Sequence, residues 1–173
     1  MFYRKGIISI QHKTKHMSLQ VGDKAPNFTL FSSDKEKVTL SDFAGKNVLI
    51  HFFPLAFTGV CTAQLCHARD NMAVYNNSNA VVLGISIDSP FVLAKFKEEQ
   101  NLQFQLLSDF NKEAITAFGV KYDVFPAFEL QGVAKRAAFV VDKEGFIRYA
   151  EITATPGDLP NFTAIHEVLA QLG

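Results

Sequence analysis

Apolar positions along the chain follow two alternating rhythms, short unbroken runs and a three-and-four spacing. Phe28 to Phe31 and Lys37 to Leu40 flank the polar stretch SSDKEK, which predicts a short hairpin. Asn47 to Phe53, NVLIHFF, is almost continuously apolar, as expected of a strand covered on both faces, and Ala80 to Ile87 repeats the pattern. Between them, Leu65, Ala68, Met72 and Tyr75 stand three, four and three apart, the core-facing stripe of a helix from Cys61 to about Tyr75. Asp88-Ser89-Pro90 supplies a cap and a first-turn proline for a helix reaching about Gln100. Gln103 to Leu107 reads as a third strand of this kind, and Lys112 to Phe118 as a shorter helix stopped by Gly119. Val120 to Arg136 has little periodicity and reads as an irregular connection of the length that usually carries function or moves. Ala137 to Val141 and Phe146 to Ile152 surround Asp142-Lys143-Glu144-Gly145, a hairpin turn with glycine where a positive φ is wanted, and a last helix runs from about Pro160 to Leu172.

Strands separated by crossover helices imply parallel pairing, and a closing hairpin adds antiparallel edge strands. The expected fold class is α/β, a central mixed sheet flanked by helices, similar to the thioredoxin-like layout with extra N-terminal strands. At 173 residues and 48% hydrophobic, residues 18–173 suit a single domain with a full core. Lys+Arg and Asp+Glu are 17 each, which removes the electrostatic footprint of a nucleic-acid or anionic-membrane binder. No apolar run approaches the roughly 18 to 20 residues needed to span a bilayer. Residues 1–17 contain Arg4, Lys5, Lys13 and Lys15 without an acidic residue, but their apolar centre, Gly6 to Ile10, is too short for a secretory signal. They read as a loosely ordered extension, or as sequence upstream of Met17 as the natural start. Two cysteines five apart in a chain this long are no disulfide framework, and they fit a reducing, cytoplasmic compartment.

The stretch PLAFTGVC, Pro54 to Cys61, ends the first long strand and opens a helix. A cysteine there lies near amides without intrahelical partners and near the positive end of the helix dipole, both of which favour thiolate over thiol. Thr58 offers a hydroxyl to the sulfur and to a bound oxidant, the amides of Val60 and Cys61 converge in the same turn, and Pro54, lacking an N–H, can cover one side. Cys61 as an inert core thiol is the alternative, which its place at the head of a helix argues against. His51, Cys61, Cys66 and His67 do not form a usual zinc spacing and no second Cys/His pair follows, so no metal is expected. His51, alternating with apolar neighbours, reads as a satisfied core histidine. Most of the 17 phenylalanines read as core, with Phe53, Phe57, Phe125 and Phe128 as candidates for the pocket wall or a dimer face.

PLAFTGVC resembles the peroxiredoxin active-site pattern Pro-x-x-x-Thr-x-x-Cys. The likeness extends to VGDKAPNFTL near the start and KRAAFVVDKEGFIRY near the end, covering about residues 19–172. The resemblance implies a cofactor-free thiol peroxidase acting on hydrogen peroxide and organic hydroperoxides. It makes Cys61 the peroxidatic nucleophile, Thr58 its hydroxyl partner, Pro54 the shield of the pocket, and Arg136 the guanidinium that stabilises thiolate and transition state. Val60 and Gln64 are expected on the substrate side. Many family members carry Glu where Gln64 stands, so whether this uncharged side chain positions the arginine is left open.

Attack on peroxide leaves a sulfenic acid that a second thiol must resolve. The spacing CTAQLC resembles the bacterioferritin-comigratory (Q-type) members, making Cys66 the resolving thiol in an internal disulfide, whereas PLAFTGVC resembles the AhpE-like one-cysteine members. On an intact helix the two Cα atoms would lie about 8.6 Å apart, against the less than about 7 Å a disulfide requires, so the first turns must unwind. The alternatives are resolution by an outside thiol and a thioredoxin-fold binding or chaperone-like module without peroxidase activity. Thioredoxin, glutaredoxin or a low-molecular-weight thiol is the expected reductant, and the family's edge-on pairing makes a homodimer an expectation.

Overall fold

A computed structural model of the chain describes residues 19–173; the extension expected at 1–17 lies outside them. Seven strands form one sheet in the order β2-β1-β5-β4-β3-β6-β7. They are β1 (Thr29–Ser32), β2 (Lys37–Thr39), β3 (Asn47–Phe52), β4 (Ala80–Ser86), β5 (Gln105–Ser108), β6 (Ala137–Val141) and β7 (Ile147–Ile152). The helices are α1 (Gly59–Asp70), α2 (Met72–Asn77), α3 (Pro90–Glu99), α4 (Glu113–Ala117) and α5 (Phe162–Leu172), with a 3-10 turn at Leu40–Phe43. β3, β4 and β5 run parallel, joined by α1–α2 and by α3, while β6 and β7 close one side and β1 the other in antiparallel register. This is the thioredoxin-like mixed sheet, with β1 and β2 as the additional N-terminal strands.

β3, between β4 and β6 inside the sheet, alternates strictly between two cores, because successive side chains leave a strand on opposite faces. Val48, Ile50 and Phe52 join Leu30, Ile115, Phe118 and Phe139 on one face. Leu49 and Phe53 join Leu65, Tyr75, Phe96, Ile165 and Leu169 on the other, where α1, α2, α3 and α5 pack. His51 is in phase with this second set. Opposite it on β4 lies Gly84, where an added Cβ would come 2.6 Å from Leu106 Cδ2 and 3.5 Å from Leu65 Cδ2. The missing side chain makes room for the Leu106 side chain of neighbouring β5.

One boundary differs from expectation, and two others gain detail. The helix expected to reach Tyr75 breaks at Asn71, whose Nδ2 donates to the His67 carbonyl at 2.8 Å, although the apolar stripe continues in phase across the break. The cap of α3 is Ser89, whose Oγ accepts from the Val92 amide, which frees Asp88 for another task. The connection from Val120 to Arg136 doubles back on itself through bridges Lys121 to Ala134 and Val124 to Gln131, turning at Phe128 and Glu129, both at positive φ. Lys135 N donates to Val120 O, so the excursion returns the chain to the sheet and delivers Arg136 to the start of β6.

Candidate active site

β3 ends at Phe52, and the Phe53 amide donates to Ile85 O at 3.0 Å, holding the chain to β4 as it leaves the sheet. Pro54 follows, buried, and Phe57 takes a left-handed conformation at φ 62° while its ring packs on Phe96 at 5.0 Å. Such a backbone is held only where its surroundings dictate it. Here Asp88 does so, its Oδ2 accepting from the Ala56 amide at 2.8 Å and from Ser86 Oγ at 2.7 Å. The loop is thereby tied to the end of β4 just before α1 begins.

Thr58 is the N-cap of α1, so Gly59, Val60 and Cys61 form its first turn and their amides stand outside the helical ladder. No side-chain cap is made to them. The Thr58 hydroxyl donates to Leu55 O at 2.9 Å rather than to the Cys61 sulfur, because the cap geometry turns it back on its own loop. That bond uses its proton and leaves its oxygen able to accept from a ligand.

Cys61 is buried at 1% exposure, and Arg136, 75 residues further on, brings Nη2 to 3.5 Å from its Sγ. Arg136 is itself only 2% exposed. Its Nε and Nη2 donate to Pro156 O at 3.2 and 2.8 Å, and its Nη1 donates to Gln64 Oε1 at 2.7 Å. Among the described residues Arg136 has no carboxylate partner, leaving the Cys61 sulfur as the group able to supply a counter-charge. A buried cation strongly favours an opposite charge at this range. Gln64, fully buried one turn after Cys61, therefore does contact the arginine, as an uncharged acceptor.

Beyond Gln64 lies His51, fully buried, with Nδ1 at 3.1 Å from Gln64 Nε2. Burial above all, then the charges of His67 and Arg136, pushes this imidazole down to about 3. Its Nε2 has no partner among the described residues, so only one of its two nitrogens is satisfied.

Cys66 is not brought to the site. It lies half-buried on the far side of α1, its Sγ 3.6 Å from Gln100 Oε1, while Arg69 Nη1 bonds Gln100 O at 2.8 Å and the His67 ring stacks on Phe162 at 3.6 Å. Of the four phenylalanines expected at a pocket or interface, Phe53 is core at 0% exposure, and Phe57 and Phe128 are solvent-facing at 50% and 88%. No group of three or more His, Cys, Asp or Glu side chains among the described residues could hold a metal ion. Sequence reading did not reach Asp88, Pro156 or the contact between His51 and Gln64. Only the last left a signal, since His51 shares the strand phase of Leu49 and Phe53.

The chain as a whole is similar to several known proteins. The AhpC/TSA family profile matches residues 21–150. Alkyl hydroperoxide reductase E of Mycobacterium tuberculosis is 39% identical over 155 residues, 89% of this chain and 98% of that protein. Peroxiredoxin Bcp of Escherichia coli is 41% identical over 132 residues, 76% of this chain and 84% of that one. The crystal structure of a peroxiredoxin-like protein from Aquifex aeolicus superimposes with a TM-score of 0.81 at 25% identity, covering 91% of this chain and 90% of that one. The chain belongs to the AhpC/TSA family and is a peroxiredoxin, a thiol-dependent peroxidase.

Proposed function

We propose that Cys61 is the peroxidatic nucleophile, and the observation that carries this is the buried Arg136 guanidinium 3.5 Å from its sulfur with no competing carboxylate. The thiolate attacks one oxygen of a hydroperoxide: an S–O bond forms, the O–O bond breaks, and the departing alkoxide or hydroxide takes a proton to leave as alcohol or water. Arg136 and the free first-turn amides of Val60 and Cys61 offer donors where negative charge develops on sulfur and oxygen. Thr58 Oγ1, whose proton goes to Leu55 O, accepts a hydrogen bond from the peroxide O–H, Gln64 holds the arginine, and Pro54 covers the pocket. Hydrogen peroxide and organic hydroperoxides are the substrates.

Cys66 is proposed to resolve the sulfenic acid: its sulfur attacks Cys61, an S–S bond forms and the S–OH oxygen leaves as water, after which a dithiol reductant such as thioredoxin or glutaredoxin, or a low-molecular-weight thiol, regenerates both thiols. The cysteines stand five helical positions apart, so α1 must open locally for the two sulfurs to meet. The side chains of Cys66, His67 and Arg69 anchor its later turns to α3 and α5, which leaves the first turn, with its free amides, as the part to open. The grip of Gln100 on Cys66 favours a second reading, in which an outside thiol resolves Cys61. Pairing of two copies through the loops carrying exposed Phe57 and Phe128, in a cytoplasmic setting, completes the proposal.

Stopped-flow mixing of reduced protein with hydrogen peroxide tests the first part, and consumption no faster than by free cysteine would end it. Intact mass after one equivalent of peroxide tests the second. Loss of two hydrogens in wild type with one oxygen gained in Cys66→Ser is expected, whereas one oxygen gained in both proteins transfers resolution to an outside thiol.

A further inference from the structure

We infer that His51 is a positioning residue for peroxide reduction: its neutral Nδ1 holds the Gln64 amide in the one orientation that turns oxygen toward Arg136. The inference rests on the peroxidase reading of Cys61 and extends it two side chains deeper into the protein.

A primary amide is nearly symmetric in shape, and what sets its orientation is the donor or acceptor it meets at each end. At one end Gln64 meets the Arg136 guanidinium, 2.7 Å from Oε1, which has donors only. At the other it meets His51 Nδ1 at 3.1 Å and, more distantly, Phe52 O at 3.4 Å. With an acceptor at Nδ1 the amide has one satisfied orientation; rotated by half a turn, it would press N–H groups against the guanidinium and leave its oxygen facing a lone pair. All of this takes place out of water, where a mismatched pair has no solvent to rescue it.

The arrangement requires that His51 carry its proton on Nε2 and remain uncharged. The Nε2 atom is buried and has no partner among the described residues, so a proton there is carried at a cost that the Nδ1 contact with Gln64 offsets. Phe162 of α5 packs edge-on to the imidazole at 6.0 Å, and burial together with the Arg136 guanidinium just before β6 opposes a second proton, as His67 of α1 does when charged.

The positions of the relay explain its consequence. Arg136 is fixed at one edge by Pro156 O and at another by Gln64, and its remaining reach is toward Cys61. Release of the Gln64 oxygen leaves the guanidinium free to turn about the Pro156 contact, away from the sulfur.

The test compares His51→Phe, which fills the site without an acceptor, with His51→Asn, whose Oδ1 can take the place of Nδ1. The second-order rate constant of the reduced protein with hydrogen peroxide is expected to fall about tenfold or more in His51→Phe, the effect of losing one orienting hydrogen bond. His51→Asn is expected to recover to within about threefold of wild type. Long-range proton–nitrogen NMR of the wild type, which needs no turnover, should show His51 protonated on Nε2 alone across the neutral range. A His51→Phe rate equal to wild type, an Asn variant as slow as the Phe variant, or a proton on Nδ1 would each overturn the proposal. Should wild type itself fail to consume peroxide, the peroxidase reading falls, and the tautomer still decides whether His51 orients Gln64. If His51→Phe fails to fold, the Asn variant and the tautomer carry the decision.

Discussion

Arg136→Met keeps an apolar stem of similar volume and removes the guanidinium. At 3.5 Å, two unit charges in a medium of effective dielectric about 20 attract by about 5 kcal/mol. Much of that attraction is present before reaction, with charge on sulfur, and stays while the charge spreads to the departing oxygen. The part that shows in the rate is the stabilisation unique to the transition state, which for one buried donor is about 3 to 4 kcal/mol, a factor of about 10² to 10³. The expected result is a second-order rate constant with hydrogen peroxide 10² to 10³ lower, measured by stopped flow on fully reduced protein. Removing the donor also strands Gln64 Oε1, which costs about 1 to 3 kcal/mol of stability, so urea unfolding belongs beside the kinetics. Arg136→Lys should fall between the two proteins, because one compact ammonium cannot bond Pro156 O, Gln64 Oε1 and the sulfur together. A folded Arg136→Met protein within fivefold of wild type would refute the assignment.

Three further outcomes follow from the packing and the loop. Gly84→Ala forces a methyl against the Leu106 side chain of β5, and should lower the free energy of urea unfolding by about 1 to 3 kcal/mol; no change would mean that Leu106 repacks freely. His51 binds its proton in the unfolded chain below about 6.5 and in the folded chain only below about 3, so its stabilising effect is complete above pH 6.5 and is lost as pH falls toward 3. Between about pH 7.5 and pH 5 this amounts to about 2 kcal/mol, and denaturant titrations should show that slope shrinking by this amount in His51→Asn. Asp88→Ala unties the Ala56 amide and should reduce both stability, by about 1 to 3 kcal/mol, and the peroxide rate, by about tenfold, with an unaltered rate showing that the loop before Cys61 needs no tether.

What could be read along the chain was what neighbours in sequence determine. The buried runs of β3 and β4, the Ser89-Pro90 start of α3 and the turn at Gly145, with φ 86°, depend on residues within a few positions. So does the order of Pro54, Thr58 and Cys61. The pairing of Cys61 with Arg136 spans 75 residues and depends on a chain excursion whose backbone contacts carry no periodic signature, so only family likeness pointed to it. The Pro156 carbonyl is invisible because any residue type carries one. The split at Asn71 was hidden for the opposite reason: Leu65, Ala68 and Tyr75 are all fully buried, so the apolar rhythm runs through a break made by one side-chain amide.

The absence of a carboxylate beside Arg136 has a bearing on the life of the oxidised protein. In the proposed mechanism an anionic sulfur balances the buried guanidinium, and a neutral sulfenic acid leaves that cation without a counter-charge. Such a site gains by admitting water, and the nearest place to admit it is the first turn of α1, whose amides are already without helical partners. On that proposal, oxidation supplies its own reason for the helix to loosen, and the second thiol proposed to resolve Cys61 gains access when the first has been spent.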